Sequence, residues 1–433
     1  MGEQNSAAAA TGPRRPFFGW LIVLVSLFGI STGPAAFGLA SLGLMIGPLE
    51  QEFGWDRTQT SGAVSIMMIC TALSLPLIGR LVDKVGVRRV LIPSVAIMGL
   101  CLLALTMVTA LWQFIAIYVA MGTLAVGSNS VPYMRVLAAW FDRSRGLAIG
   151  IAGSGTGLGF AYVPVLTEWL VTGYGWRMGY AGLGLIMLCG TLPLIFLVLR
   201  ESPAAMGLLP DGAPAGTAAG AGAADGTPSA AAGDSLRQAL ARRDFWSLAV
   251  IFVSLAFVLY GLIPHLVPML TDRGLSTRDA AQIASLFGLA TFGGRLLIGF
   301  LIDRHDARLI AFIFFSLSAV GLGVLAMDLP TWAFMLSAVL LGGSLGAEVD
   351  MLAYLTSRYF GLRSFAEIFG VLFGAVMMGM GIGPALFGFV FDRTGSYNSM
   401  LALGVPICLM AIILVALLRP YAEKRRGAAL SVT

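Results

Sequence analysis

Lysine is almost missing from this chain. Lys84 and Lys424 are the only two in 433 residues, and histidine occurs only at His265 and His305. Charged side chains make up 11% of the sequence, against about a quarter in an average soluble domain. That scarcity argues against a water-soluble globular chain. It also leaves no basic block interleaved with aromatics, so no nucleic-acid partner is expected. Cysteine is sparse too. Cys70, Cys101, Cys189 and Cys408 each lie inside an apolar run, and no two share metal-ligand spacing. They read as small hydrophobes, with neither a disulfide framework nor a zinc site. No Ser-His-Asp set, metal cluster or phosphate loop can be assembled, so neither an enzyme nor a cofactor is expected. The Gly155-x-Gly157-x-Gly159 stretch has no preceding strand and no phosphate-binding lysine, which removes a nucleotide reading.

What the chain has in plenty is apolar surface: 58% of residues are hydrophobic, and the mean hydropathy is +0.88. A membrane span needs about 20 mostly apolar residues. Such runs cover roughly 18–44, 59–80, 89–109, 112–138, 147–170, 179–200, 245–270, 279–301, 308–327, 331–357, 366–390 and 398–418. Backbone groups in lipid must bond within their own segment, so each run is predicted to be a helix. The first run is too long for a signal-peptide core and lacks a clear cleavage site, so it is expected to be retained.

An even number of spans puts both termini on one side. If that side is the cytoplasm, inner loops and tails carry twenty basic residues, and outer loops carry only Arg57, Arg177, Arg273, Arg278 and Arg393. The asymmetry predicts a multi-pass inner-membrane protein with both termini cytoplasmic. Ser202 to Asp234 is mostly Ala, Gly and Pro and cannot bury enough surface to fold. The expected layout is a disordered tail over 1–16, a six-helix bundle over 17–200, a cytoplasmic linker over 201–243, a second bundle over 244–420 and a tail over 421–433. The fold class is an all-α membrane protein of twelve transmembrane helices in two six-helix bundles.

An internal repeat supports the division. Gly79-Arg80-Leu81-Val82-Asp83-Lys84-Val85-Gly86-Val87-Arg88-Arg89 follows the second run, and Gly299-Phe300-Leu301-Ile302-Asp303-Arg304 opens the matching stretch after the eighth, through Arg308. Trp140-Phe141 likewise corresponds to Tyr359-Phe360, which aligns Asn129 with Glu348. Asp83 and Gly86 suit a tight turn, and the arginines can bond carbonyls at neighbouring helix ends and hold the halves together in one state.

The stretch over 79–89 resembles the signature of the major facilitator superfamily between its second and third helices. Phe17-Phe18-Gly19-Trp20, Glu52-Phe53-Gly54-Trp55, Trp140 to Gly146 and Gly294-Arg295-Leu296-Leu297-Ile298-Gly299 look like the oxalate:formate antiporter and monocarboxylate porter group. The resemblance implies two bundles rocking about a central site by alternating access. It implies a small organic anion as cargo, moved with a proton or in exchange for another anion, with Arg295 matching the group's helix-eight arginine. The group's monocarboxylate members carry an aspartate one turn before that arginine, where this chain has Thr291, and its oxalate members carry a helix-eleven lysine that is absent here. A working monomer in the lipid bilayer is expected. An organic-anion exchanger, an exporter of hydrophobic compounds and a non-transporting receptor are the alternatives.

Of the 27 basic and 22 acidic residues, four lie well inside runs: Arg135, Arg295, Glu348 and Asp350. Such residues cost at least about 2.5–3.5 kcal/mol each at the bilayer centre and usually face a cavity or a partner. Arg295 lies roughly 9 Å from the inner end of its run at 1.5 Å per residue. Its guanidinium can grip a carboxylate with two parallel hydrogen bonds, and it cannot release a proton. The alternative is a structural ion pair with Glu348 or Asp350. Those two acids point about 200° apart on one helix, so one can face the centre squarely. Either can carry a proton. Arg135 lies roughly 4.5 Å from its inner end, where it can snorkel or pair with Asp350 or Glu348 as a gate. His265, flanked by Pro264 and Pro268, titrates near neutrality and can take protons from outside. Tyr133 and Asn129 share a helix face and can line the cavity or pack.

Overall fold

The computed structural model describes residues 17–141, 144–212, 233–302, 304–327, 329–361 and 363–419. The expected tails over 1–16 and 421–433, residues 213–232 of the linker and Asp303 lie outside the described residues. Eleven helices are long and apolar enough to cross a membrane. In the first half these are α1 (Phe18–Phe53), α2 (Arg57–Val82), α3 (Val87–Leu105), α5 (Gly146–Tyr174) and α6 (Trp176–Val198). In the second half they are α7 (Arg243–Asp272), α8 (Thr277–Ile302), α9 (Ala307–Leu325), α10 (Thr331–Phe360), α11 (Glu367–Thr394) and α12 (Asn398–Leu417).

The fourth predicted span is helical too, but it comes in two pieces. α4 runs Leu111–Thr123, passes through a short turn at Val126–Ser128, and resumes as Ser130–Trp140. Asn129 is extended there, and its Oδ1 accepts from the Ser130 N–H at 2.7 Å. Pro132 sits in the new first turn, where its missing N–H costs nothing. Other helices depart from regular α geometry as well. α1 widens into a π-helical stretch at Pro34–Ala40, α5 turns at Ser154, and α7 tightens at Ile263–His265 around Pro264. Proline removes one backbone donor and so loosens the ladder.

The repeat is visible in matched hydrogen bonds. Trp140 Nε1–H donates to the Arg200 carbonyl at 2.8 Å, and Tyr359 O–H donates to the Arg419 carbonyl at 2.6 Å. Arg88 Nη1 donates to the Leu199 carbonyl, and Arg308 Nη1 donates to the Leu418 carbonyl. Each loop arginine thus ties the start of the third helix of its half to the end of the sixth. The partners of Arg88 are all in the first half, so it braces that half internally. The α2 helix continues past its apolar span to Val85, and Gly86 at φ 93° turns it into α3, a left-handed conformation that suits glycine. Arg304 folds back over the Phe300 ring, 3.5 Å from its centroid. The Asp83 side chain lies outside the described residues.

Phe17 packs on Trp140, with centroids 5.8 Å apart. Phe17, Trp140, Arg200, Tyr359 and Arg419 therefore share one end of the bundle, here the tail face; the opposite end is the far face. The halves meet along α2–α11, α5–α8 and α1–α7. At the second seam Gly288 lies against the Phe160–Ala161 backbone and Gly157 against Phe292, with no room for a Cβ on either glycine.

Candidate functional site

Small residues fix the register of α8 on α10. Gly294 packs against the backbone of Gly343, and Gly346 packs against Thr291 and the Arg295 nitrogen. One helical turn beyond Thr291 and Gly346 stand Arg295 and Asp350. The contact therefore delivers a bidentate pair. Arg295 Nε donates to Asp350 Oδ2 and Nη2 donates to Oδ1, both at 3.0 Å. The remaining arm, Nη1, crosses to the other half and donates to the Gly153 carbonyl at 2.9 Å. Gly153 is the last residue before the Ser154 turn of α5.

The pair is not sealed in. The Arg295 side chain is 22% exposed and that of Asp350 is 38% exposed. Arg295 forms part of the wall of a cavity of about 150 Å³ between the halves. Asn129, Ser130 and Thr156 line it from the first half, and Tyr260 from the second. Met67, Met68, Met377 and Met380 supply much of the remaining wall. Thioether side chains are soft and unbranched, so such a wall adapts to the shape of whatever enters it.

Glu348 stands apart from this group. It is 1% exposed, and neither carboxyl oxygen has a hydrogen-bond partner among the described residues. It turns away from Asp350, towards Tyr260 on α7 and Cys408 on α12. Tyr133 is also outside the cavity wall: it is fully buried, with its hydroxyl against Gly29 of α1. Arg135 is exposed on the tail-side piece of α4, while Asp350 is occupied by Arg295.

His265 lies in a separate, far-face assembly and is fully buried. Its Nε2 faces the Pro384 carbonyl at 2.8 Å, and Nδ1 faces the Tyr397 hydroxyl at 2.9 Å. A carbonyl can only accept, so Nε2 carries the hydrogen and Tyr397 donates to Nδ1. The Tyr397 oxygen in turn accepts from Arg57 Nη1 at 2.9 Å. Both ring nitrogens are thus engaged, which leaves His265 no open lone pair for a proton arriving from solvent.

Arg57 anchors that assembly, and sequence reasoning missed it. It grips Asp272 of α7 through Nη1 at 2.6 Å and Nη2 at 3.0 Å. Its guanidinium lies 3.7 Å over the Phe391 ring. Asp392 of α11 accepts from the Arg57 and Thr58 backbone N–H groups at 3.1 and 2.7 Å. A carboxylate from one half therefore caps the first turn of α2 in the other, where orphan donors and the helix dipole favour it. The available signal was that arginines are rare on this face, so each one present is expected to have a local partner.

The Major Facilitator Superfamily pattern matches residues 19–364 and again 268–432. The chain is 28% identical over 402 residues to a gallate transporter of Pseudomonas putida, covering 85% of this chain and 88% of that one. It is 26% identical to human monocarboxylate transporter 11, covering 92% of this chain and 82% of the relative. Among solved structures it is similar to a bacterial homolog of the human lysosomal transporter Spinster in an inward-facing, unoccupied conformation. That similarity has a TM-score of 0.66 at 17% identity, covering 93% of this chain and 96% of that one; at this identity it speaks for the fold alone.

Proposed function

The chain belongs to the Major Facilitator Superfamily and is a transporter, and from that premise we propose that it carries a small monocarboxylate together with a proton by alternating access. The observation that carries this reading is Arg295, a permanent cation at the wall of a cavity between the halves, held by a partly exposed carboxylate. A cavity of about 150 Å³ is the size that accepts a single benzene ring. The cargo is therefore an organic acid no larger than about one ring, which agrees with relatives that carry gallate or monocarboxylates.

The cargo carboxylate competes with Asp350 for two donors of one guanidinium. Charge stays balanced if Asp350 takes a proton as it lets go, so we assign the proton to Asp350, not to Glu348 behind the wall or to His265 in the far-face assembly. Asn129 and Ser130 offer polar contacts to the rest of the cargo from the opposite half. Release of the Arg57–Asp272–Asp392 latch then opens the far face. The excess of basic residues on the tail face makes that face cytoplasmic under the positive-inside rule. The protein acts as a single chain in the inner membrane.

The test is uptake of radiolabelled benzoate-type and lactate-type acids into proteoliposomes with an imposed pH gradient. Wild type accumulates acid when the outside is acidic, and Arg295→Ala abolishes it. Undiminished uptake by Arg295→Ala overturns the reading. Counter-flow that requires internal anion and ignores the pH gradient replaces symport with exchange.

A further inference from the structure

A second, larger cavity shares no lining residue with the Arg295 cavity. It holds about 1150 Å³ along the far-face half of the α5–α8 seam, from Ala161 to Tyr174 on α5 and from Arg278 to Ser285 on α8. Its walls are mainly apolar, and the exposed Trp169 and Tyr174 pack edge-on at its rim. The thirteen residue-to-residue steps from Ala161 to Tyr174 span about 20 Å at 1.5 Å per residue. That is roughly one leaflet of a bilayer 40–45 Å thick overall.

Charges of opposite sign face the groove from the two halves. Glu168 stands on α5, with one hydrogen bond, from Thr172 Oγ1. Arg278 stands at the start of α8, and no partner for its guanidinium is found among the described residues. The other far-face arginines are all engaged. Arg57 holds Asp272, Arg177 holds Glu52, Arg273 holds Asn398, and Arg393 covers the Phe389 ring. Deeper in the groove, Ser285 Oγ is buried without a hydrogen-bond partner among the described residues.

We propose that this groove binds one zwitterionic phospholipid, with its phosphate on Arg278, its ammonium on Glu168 and an acyl chain along the apolar floor. Arginine suits a phosphodiester because its planar fork presents two donors to two oxygens. Ser285 supplies a hydroxyl donor for an ester oxygen. The charged contacts come one from each half, so the lipid clasps the seam and favours the arrangement in which α5 and α8 are closed on the far face. This site is independent of the cargo and of its proton.

The experiment uses the purified full chain, stripped of lipid in detergent and then supplied with phosphatidylethanolamine or phosphatidylglycerol. Native mass spectrometry counts the lipids retained. One phosphatidylethanolamine per chain is expected, held about tenfold more tightly than phosphatidylglycerol, because a charge-assisted hydrogen bond is lost in the second case. Glu168→Gln and Arg278→Gln each weaken retention by about tenfold on the same ground. Both positions are at least partly exposed, and unchanged thermal melting in lipid-free detergent confirms that the variants fold. Equal retention of the two lipids, or retention indifferent to both Gln variants, overturns the proposal and leaves ordinary boundary lipid.

Discussion

At the residue scale, the proposed cargo site turns on two groups one helical turn beyond a glycine contact. Asp350→Asn keeps the shape of the Asp350 side chain and removes its charge and its proton site. The expected outcome is a protein that still exchanges labelled acid across the membrane but no longer accumulates it against a pH gradient. Accumulation equal to wild type would move the proton elsewhere. Arg295→Lys replaces a two-pronged donor with a point charge. Affinity for the acid is expected to fall by about tenfold or more, since hydrogen bonds to charged groups contribute about 1.5–3 kcal/mol. Isothermal titration against benzoate reads it directly. Glu348 gives a contrasting result. Neither of its oxygens has a hydrogen-bond partner among the described residues, so Glu348→Gln is expected to lose no hydrogen bond, and thermal unfolding in detergent should stay within about 1 kcal/mol of wild type. A large loss of stability would show that Glu348 is bonded in the membrane.

Arg295 was legible in the sequence because a charge in an apolar run is expensive wherever it points. Which acid it meets was not legible. Glu348 and Asp350 are two residues apart, and only the rotation of α10, set by Gly343 and Gly346 against α8, decides between them. Tyr133 went to the core for a similar reason. Helical spacing puts it on the Asn129 side, but Asn129 is extended and stands just before the helix that carries Tyr133, so the two do not share a helix face.

At the scale of elements, the far-face latch joins residues 215 and 335 positions apart. No local pattern announces such pairs, and loop charges are ordinarily solvated. A double-mutant cycle on Arg57→Ala and Asp272→Ala, read by thermal unfolding, is expected to return a coupling of about 0.5–3 kcal/mol. Additive effects would reduce the latch to two surface charges. Gly388 of α11 lies on the Arg57 backbone and Ser61 of α2 with no room for a Cβ. Gly388→Leu is therefore expected to hold the far face apart, and a cysteine placed there in a separate variant should react faster with thiol reagents in an Arg57→Ala background. The helix breaks divide in the same way. Those at Pro34 and Pro264 could be anticipated from proline, whereas the turn at Ser154 has no such marker.

At the scale of the whole molecule, the number of spans and the repeat could be read from hydropathy and from the 79–89 motif. Hydropathy predicts a continuous fourth span, and the structure divides it into two shorter helices. With the tail face assigned to the cytoplasm, a membrane-impermeant maleimide added to intact cells should label Gly395→Cys and spare Gly361→Cys, in a background without the native cysteines. The reverse pattern would invert the orientation. Matched bonds from Trp140 and Tyr359 to the ends of α6 and α12 mean that each half carries its own brace. Each half can therefore move as a rigid body, and the seams between them take up the motion.

The arm from Arg295 to Gly153 ends on a main-chain oxygen, and that has a consequence for divergence. No exchange of side chain at 153 deletes a peptide carbonyl; only straightening the bend in α5 would withdraw it. Descendants of this gene are therefore free to rebuild the lining around a different acid while inheriting the strut between guanidinium and backbone, so specificity can drift without dismantling the hinge.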